Sequence, residues 1–156
     1  MDLYFLRHGD AEPASAATPD QARRLTERGR RETEAVVQAL HRAGVRPEAI
    51  LTSPLARARE TGEIVQHVFG ISARAEERLT SGCGLGAIQA LMSDRSEQRV
   101  LFVGHEPDLS MIVGRLIGSA RVHMKKSGFA HVQAERVEPG QGILVWLLTP
   151  QLFPAE

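Results

Sequence analysis

Residues 3–9 read LYFLRHG, an apolar run that ends directly on an arginine, a histidine and a glycine. The arrangement recurs twice, since residues 49–57 read AILTSPLAR and residues 99–107 read RVLFVGHEP. Each apolar run has the length of a buried strand, and helical patterns separate the runs, which predicts an α/β fold. In open α/β sheets, ligands bind outside the carboxyl ends of the strands. The side chains expected to converge on one crevice are therefore Arg7, His8, Arg57 and His105.

The rest of the chain divides at turn signals. The segment from Ala11 to Pro19 is small, polar and interrupted by proline, as is typical of an exposed loop. Glu138 to Gln141 is a turn signal that predicts a closing hairpin. The predicted helices run from Asp20 to about Ala43, from Ser53-Pro54 to Gly70, from Leu85 to Met92 and from Pro107 to about Ile117. The predicted hairpin strands are Ala130 to Val137 and Gly142 to Leu148.

Composition limits the classes of function. The 156 residues fit one domain, residues 1–156, and the formal net charge is zero. That balance argues against nucleic acid as a partner. One cysteine, Cys83, excludes an internal disulfide and fits a reducing compartment. No apolar run approaches the length of a membrane span, so we expect no membrane association and a cytoplasmic location.

The side chains expected at the crevice indicate phosphoryl chemistry. Guanidinium groups bind phosphate oxygens bidentately and stay charged at any working pH. Phosphoryl transfer spreads negative charge over the equatorial oxygens, so fixed cations stabilise its transition state. A neutral histidine can attack phosphorus and form a covalent intermediate. The helix predicted near Pro107 adds backbone N–H groups beside His105, whose protonated form would help to hold the transferring group.

Four motifs stand in order along the chain: residues 6–11 (LRHGDA), Leu25-Thr26 with Gly29, residues 53–58 (SPLARA) with Thr61, and residues 104–107 (GHEP). Together they resemble the histidine phosphatase superfamily, which includes the phosphoglycerate mutase-like proteins. Within it the chain is similar to the small SixA-type phosphohistidine phosphatases. The resemblance implies a three-layer α/β/α sandwich, with a mostly parallel central sheet and an antiparallel edge hairpin.

The resemblance also implies roles for single residues. His8 would be the nucleophile, while Arg7, Arg57 and His105 would grip the phosphoryl oxygens. No cofactor and no metal would be needed, and the histidines match no metal-ligand spacing such as H-E-x-x-H. The phosphate-binding group predicted on this basis comprises Arg7, His8, Arg57, His105 and Glu106.

Two departures from the family pattern bear on the substrate. Larger members carry an acidic proton donor in an E-R-x-x-G-like segment, for which Glu77 is the nearest candidate here, and an Asn common in relatives is replaced by Ala14. Without a strong acid, a departing alkoxide lacks its proton. An imidazole leaves readily, since its conjugate acid has a pKa of roughly 6.5. An N–P bond is therefore the favoured target.

These observations predict a phosphatase acting on a phosphorylated histidine-containing protein, such as a phosphorelay domain, through covalent phospho-His8. Two alternatives remain open at this point. The chain could be a small-molecule phosphomonoesterase of the same superfamily, or a non-catalytic module that binds phosphohistidine. The pair Lys125-Lys126 is either a plain surface feature or a contact for an acidic partner.

Overall fold

The computed structural model describes residues 1–155. A mixed sheet of six strands lies at its centre, and four α-helices cover the sheet. The strands are β1 (Asp2–Arg7), β2 (Ala49–Thr52), β3 (Ala73–Ala75), β4 (Arg99–Gly104), β5 (Phe129–Ala134) and β6 (Gly142–Leu148). The helices are α1 (Glu27–Arg42), α2 (Ala56–Phe69), α3 (Leu85–Ser93) and α4 (Asp108–Leu116). Short 3-10 turns occupy Asp20–Ala22, Glu77–Leu79 and Pro150–Leu152.

The strand order in the sheet is β3-β2-β4-β1-β5-β6. Strands β3, β2, β4 and β1 run parallel to one another, whereas β5 pairs antiparallel with both β1 and β6. The predicted closing hairpin is therefore the β5–β6 pair at one edge. This arrangement confirms the mostly parallel sheet with an antiparallel edge hairpin.

Alternate residues of the strands enter two separate hydrophobic cores. Leu3 and Phe5 of β1 pack on the side covered by α3 and α4, and Tyr4 and Leu6 pack on the side covered by α1 and α2. Successive side chains of a strand point to opposite faces, so a strand buried on both faces reads as a continuous apolar run. The three-layer α/β/α sandwich is confirmed.

The first helix departs from its prediction at its N-terminus. It begins at Glu27 instead of Asp20, because the Thr26 side chain takes the N-cap position and accepts a hydrogen bond from the Gly29 N–H. The preceding residues 20–26, which we call the strap, begin with the 3-10 turn Asp20–Ala22, and Leu25 of the strap pairs with Ala11. The N-cap role of Thr26 was not predicted, and hydrophobic periodicity alone extended the helix too far.

Two strands also differ from their predictions. Strand β5 ends at Ala134 instead of Val137, because the chain turns away before the hairpin loop. The three-residue strand β3 at the other edge of the sheet was not predicted. Only one of its three residues, Ala73, is partly buried, so it lacks the apolar run by which the longer strands were found. The other helix bounds agree with prediction within a few residues.

The sheet order brings the carboxyl ends of β1, β2 and β4 side by side. In the register, Arg7 lies opposite Gly104, and Thr52 lies opposite Val103. The residues that follow these strands therefore leave the sheet at the same edge. Within residues 1–155, no helix has both the length and the apolar character needed to cross a bilayer.

Candidate active site

His8 follows β1 and is 7% exposed. Its Nδ1 lies 2.7 Å from the Gly9 carbonyl oxygen, which can only accept a hydrogen bond. This contact places the ring proton on Nδ1 and leaves the lone pair on Nε2. Burial, joined by the nearby His105 and two guanidinium groups, lowers the pKa of His8 to about 3. His8 is therefore neutral near pH 7, in the form able to attack phosphorus.

Arg57 lies in the first turn of α2, with its side chain buried. Its Nε–H donates to His8 Nε2 over 3.3 Å, which confirms that this nitrogen carries a lone pair. Thr61 ties the two residues together, because its hydroxyl donates to the Arg57 carbonyl at 2.8 Å and accepts from the Gly9 N–H at 3.2 Å. The helix and the strand end are thus held at a fixed separation.

His105 follows β4, and its ring centroid lies 5.2 Å from that of His8. Its Nε2 lies 2.7 Å from the Ser53 hydroxyl. Its Nδ1 is buried and has no hydrogen-bond partner within residues 1–155. If Ser53 donates to Nε2, Nδ1 carries the proton and can donate it to an anion.

The charge of His105 differs from the sequence-based expectation of a protonated ring. Burial, aided by Arg57 and Arg7, lowers the pKa of His105 to about 4. The neutral ring still offers one N–H group. The sequence could not reveal this shift, because the groups that cause it are distant along the chain.

Arg7 is the last residue of β1. One terminal nitrogen donates to the Met124 carbonyl at 2.9 Å, while Nε is buried with no partner among the described residues. Burial lowers the pKa of Arg7, and the carboxylate of Glu106 acts in the opposite direction. Unpartnered buried N–H groups are rare in folded proteins. Arg7 Nε and His105 Nδ1 are therefore well suited to bind an oxyanion.

Asp20 is a residue of the site that sequence reasoning missed. Arg57 donates to its main-chain carbonyl at 2.8 Å and to its carboxylate at 3.3 Å. A hydrogen bond from Arg23, with support from Arg57, lowers the pKa of Asp20. No sequence pattern indicated this contact, and Asp20 was interpreted as the start of a surface helix.

The strap that carries Asp20 is anchored by Glu60 of α2. This carboxylate is mostly buried and accepts hydrogen bonds from Leu25 N–H and Arg24 Nε, both at 2.7 Å. It also pairs with Arg30 at 2.9 Å. Desolvation opposes ionisation, but these three donors together lower the pKa of Glu60. The anchor holds the strap against the helix that supplies Arg57.

Glu106 and Glu77 are the two carboxylates that were predicted from the sequence as candidate site residues. The Glu106 carboxylate accepts from the N–H of Ser110 at 2.9 Å and from its hydroxyl, within the first turns of α4. Both carboxylate oxygens of Glu106 thus accept hydrogen bonds from Ser110, and the charge of Glu106 opposes the lowering of the Arg7 pKa by burial. Its membership in the phosphate-binding group stays a prediction. Glu77 is exposed at the start of the 3-10 turn Glu77–Leu79.

No group of three or more His, Cys, Asp or Glu side chains in residues 1–155 is arranged to hold an ion. The cations available to bind an anion are guanidinium groups. A neutral, oriented imidazole surrounded by such groups can transfer a phosphoryl group through a covalent intermediate.

An α/β sandwich with two guanidinium groups and a neutral imidazole at the carboxyl ends of its parallel strands is the arrangement expected of a phosphoryl-transfer enzyme. The profile of the histidine phosphatase superfamily (branch 1) matches residues 3–81. The chain belongs to this superfamily, and it is a phosphatase of the SixA type.

The chain is similar over nearly its full length to three other chains, two of which are named SixA. Phosphohistidine phosphatase SixA of Escherichia coli strain K12 is 30% identical over an alignment of 156 positions that covers 96% of this chain and 94% of that protein. A protein of unassigned function from Picosynechococcus is 33% identical over 96% of both chains. The structure of the protein histidine phosphatase SixA complexed with tungstate superimposes with a TM-score of 0.87 at 28% identity, covering 99% of this chain and 100% of that one.

Proposed function

We propose that this phosphatase removes the phosphoryl group from a phosphohistidine on another protein, through a covalent phosphoryl group on His8. The observation that carries the proposal is the pair of contacts on the His8 ring. Gly9 fixes the proton on Nδ1, and Arg57 donates to Nε2, so the attacking lone pair points toward a guanidinium group. Preorganisation of this kind lowers the barrier, because no proton has to be removed from the nucleophile.

In the first step, His8 Nε2 forms a bond to phosphorus as the bond from phosphorus to the substrate's imidazole nitrogen breaks. That nitrogen takes the bonding electron pair. Arg7 Nε and His105 Nδ1 bind the phosphoryl oxygens, and the Arg57 Nε–H shifts from His8 to the same group. Fixed donors in a buried site stabilise the charge on the equatorial oxygens.

In the second step, water attacks phosphorus and the bond to His8 breaks. Inorganic phosphate leaves, the electron pair returns to Nε2, and the proton of the water passes to phosphate or to solvent. No metal takes part in this scheme, so the reaction should proceed at the full rate in the presence of EDTA.

The choice of an N–P bond rests on the carboxylates around the pocket. Among residues 1–155, Asp20 is the one carboxylate that contacts Arg57 or His8. Its lowered pKa keeps it ionised near pH 7, so it is a poor proton donor for a leaving alkoxide. A departing imidazole takes a proton from solvent or carries one on its second nitrogen. The charge state of the site therefore suits phosphohistidine better than a phosphoester.

A single-turnover experiment tests the proposal. The enzyme is mixed with a ³²P-phosphorylated histidine phosphotransfer domain and, separately, with labelled p-nitrophenyl phosphate, and both reactions are quenched in alkali, which preserves N–P bonds. We expect transient label on the enzyme from the phosphodomain, absent in His8→Ala and retained in His67→Ala, an exposed histidine that serves as the control. Turnover by His8→Ala should fall at least about 10³-fold.

The other outcomes separate the alternatives. Label from the ester alone would support a phosphomonoesterase. Tight binding of the phosphodomain without label or phosphate release would support a binding module. Substantial turnover by His8→Ala would contradict the covalent mechanism for any substrate.

A further inference from the structure

A groove of about 630 Å³ opens beside Arg7, on the side of the active site formed by α1 and the segment 123–126. Residues 150, 151 and 153–155 form its third side. His8 does not line this groove, but Arg7 belongs to both sites. Among the described residues, the cationic groups that line it are Arg7, Arg28, Arg31, Lys125 and Lys126, and the carboxylates are Asp10 and Glu32. We call this feature the basic groove.

The segment 123–126 is anchored to the catalytic pocket. Met124 is buried, its N–H donates to the Ser110 hydroxyl at 3.1 Å, and its carbonyl accepts from Arg7 at 2.9 Å. His123 and Lys125 on either side of it are exposed and line the basic groove. Lys125 is thus one residue from the main-chain carbonyl that accepts from Arg7, so its backbone is anchored beside the site.

The charges of the basic groove are only partly compensated. Lys126 pairs with Asp10 at 2.6 Å, while Arg28 pairs with Glu32 and Arg31 pairs with Glu27, both at 2.8 Å. Lys125 has no carboxylate within salt-bridge distance among residues 1–155. Exposed ion pairs of this kind are weak and exchange partners readily. A chain of zero net charge therefore concentrates positive charge beside its active site.

We propose that the basic groove docks acidic side chains on the same protein that presents the phosphohistidine. The proposal rests on the proposed function, since a histidine that enters the pocket beside Arg7 brings its own protein surface against the groove. Complementary charge at such a surface accelerates association and fixes orientation. The groove would thus select the protein substrate, whereas Arg7, His8, Arg57 and His105 recognise only the phosphoryl group.

An acidic protein surface fits the basic groove better than a nucleic acid does. Asp10 and Glu32 lie among the cations, and a uniform row of phosphates would meet both carboxylates. A protein surface can place carboxylates against Lys125 and Arg31 and leave neutral groups opposite Asp10. The test must therefore distinguish binding of an acidic protein from binding of a nucleic acid.

The test compares two double variants. Arg31→Ala/Lys125→Ala removes two cations of the groove, and Arg74→Ala/Arg115→Ala removes two exposed cations elsewhere, on β3 and α4. With a phosphorylated histidine phosphotransfer domain, we expect KM to rise about fivefold to tenfold in the groove variant only, with kcat within twofold. With free N-phosphohistidine, kcat/KM should stay within twofold for both variants. Added salt should raise KM for the domain more steeply in the wild type than in the groove variant.

Binding of the unphosphorylated domain, measured by calorimetry, separates this proposal from the proposed function. If no phosphohistidine is hydrolysed but the groove variant binds the domain several-fold more weakly, the function is wrong and the docking surface stands. Equal losses on the domain and on free phosphohistidine, or no change in either KM or Kd, would overturn the docking proposal. The docking proposal would also be overturned if a mixed-sequence DNA duplex bound to the wild type in competition with the domain and did not bind to the groove variant.

Discussion

The guanidinium group of Arg57 lies between His8 and Asp20, and it donates to the carboxylate and to the main-chain carbonyl of Asp20. A carboxylate therefore occupies part of the guanidinium surface that a phosphoryl oxygen would use. The Asp20 side chain is about half exposed, at 56%, so the contact is open to solvent and can rearrange.

Replacing Asp20 with asparagine should tighten the binding of oxyanions. The variant keeps the carbonyl contact to Arg57 but removes the negative charge, so the inhibition constant for tungstate should fall about twofold to fivefold. Asp94→Asn breaks a comparable exposed pair with Arg78 at 2.8 Å and serves as the control. Weaker tungstate inhibition of Asp20→Asn would show that the carboxylate supports the binding geometry of Arg57 instead of competing with the anion.

Removing the Ser53 hydroxyl should impair the enzyme through His105. Without the contact to Nε2, neither the tautomer nor the ring orientation is fixed, and we expect kcat to fall about 10-fold to 100-fold in Ser53→Ala. Tungstate affinity should fall in parallel, because Nδ1 loses its defined proton. Ser93→Ala, at an exposed position at the end of α3, is the control. If tungstate affinity is unchanged while kcat drops, His105 does not hold the anion.

The free energy of unfolding should decrease as the pH is lowered from 7 to 5. His8 and His105 have folded pKa values of about 3 and about 4, below the ordinary value, so the unfolded chain binds more protons throughout this interval. Each histidine contributes at most about 1.4 kcal/mol per pH unit to the slope. Urea denaturation at several pH values measures it.

The variant His8→Asn/His105→Asn should flatten this slope, and His67→Asn should not. Most carboxylates titrate below pH 5, so their contribution in this interval is small. An unchanged slope in the double variant would mean that the two imidazoles accept protons in the folded state as easily as in the unfolded one.

Replacing Gly29 with alanine should destabilise the protein by about 2–4 kcal/mol. A Cβ at this position would overlap the Asp10 carbonyl oxygen, where the loop after His8 packs on the first turn of α1. Gly86 lies in the first turn of α3, where an added Cβ meets nothing within 4 Å. Gly86→Ala should therefore be neutral or stabilising by up to about 1 kcal/mol. Thermal unfolding of both variants checks the contrast, and equal melting temperatures would contradict the close packing.

The sequence by itself determined the architecture and the four side chains at its centre. Strands that are buried on both faces are apolar throughout, so short apolar runs in the sequence predicted β1, β2 and β4. The polar residues that follow each run predicted the edge of the sheet where the site lies. The sequence also predicted where α2 ends, because Gly70 takes the left-handed conformation of a helix C-cap. Before Thr26 the helical pattern continues past the N-cap, so the predicted α1 began at Asp20 instead of Glu27.

Only the tertiary structure decided how those side chains are charged and held. Asp20 reaches Arg57 across 37 positions, and Met124 reaches Arg7 across 117, so no local pattern encodes either contact. The low pKa of His105 likewise arises from burial and from guanidinium groups that belong to other elements. The basic groove exists because folding places Lys125 beside α1. Contacts between distant segments depend on the whole packing arrangement, and short sequence patterns report only neighbours along the chain.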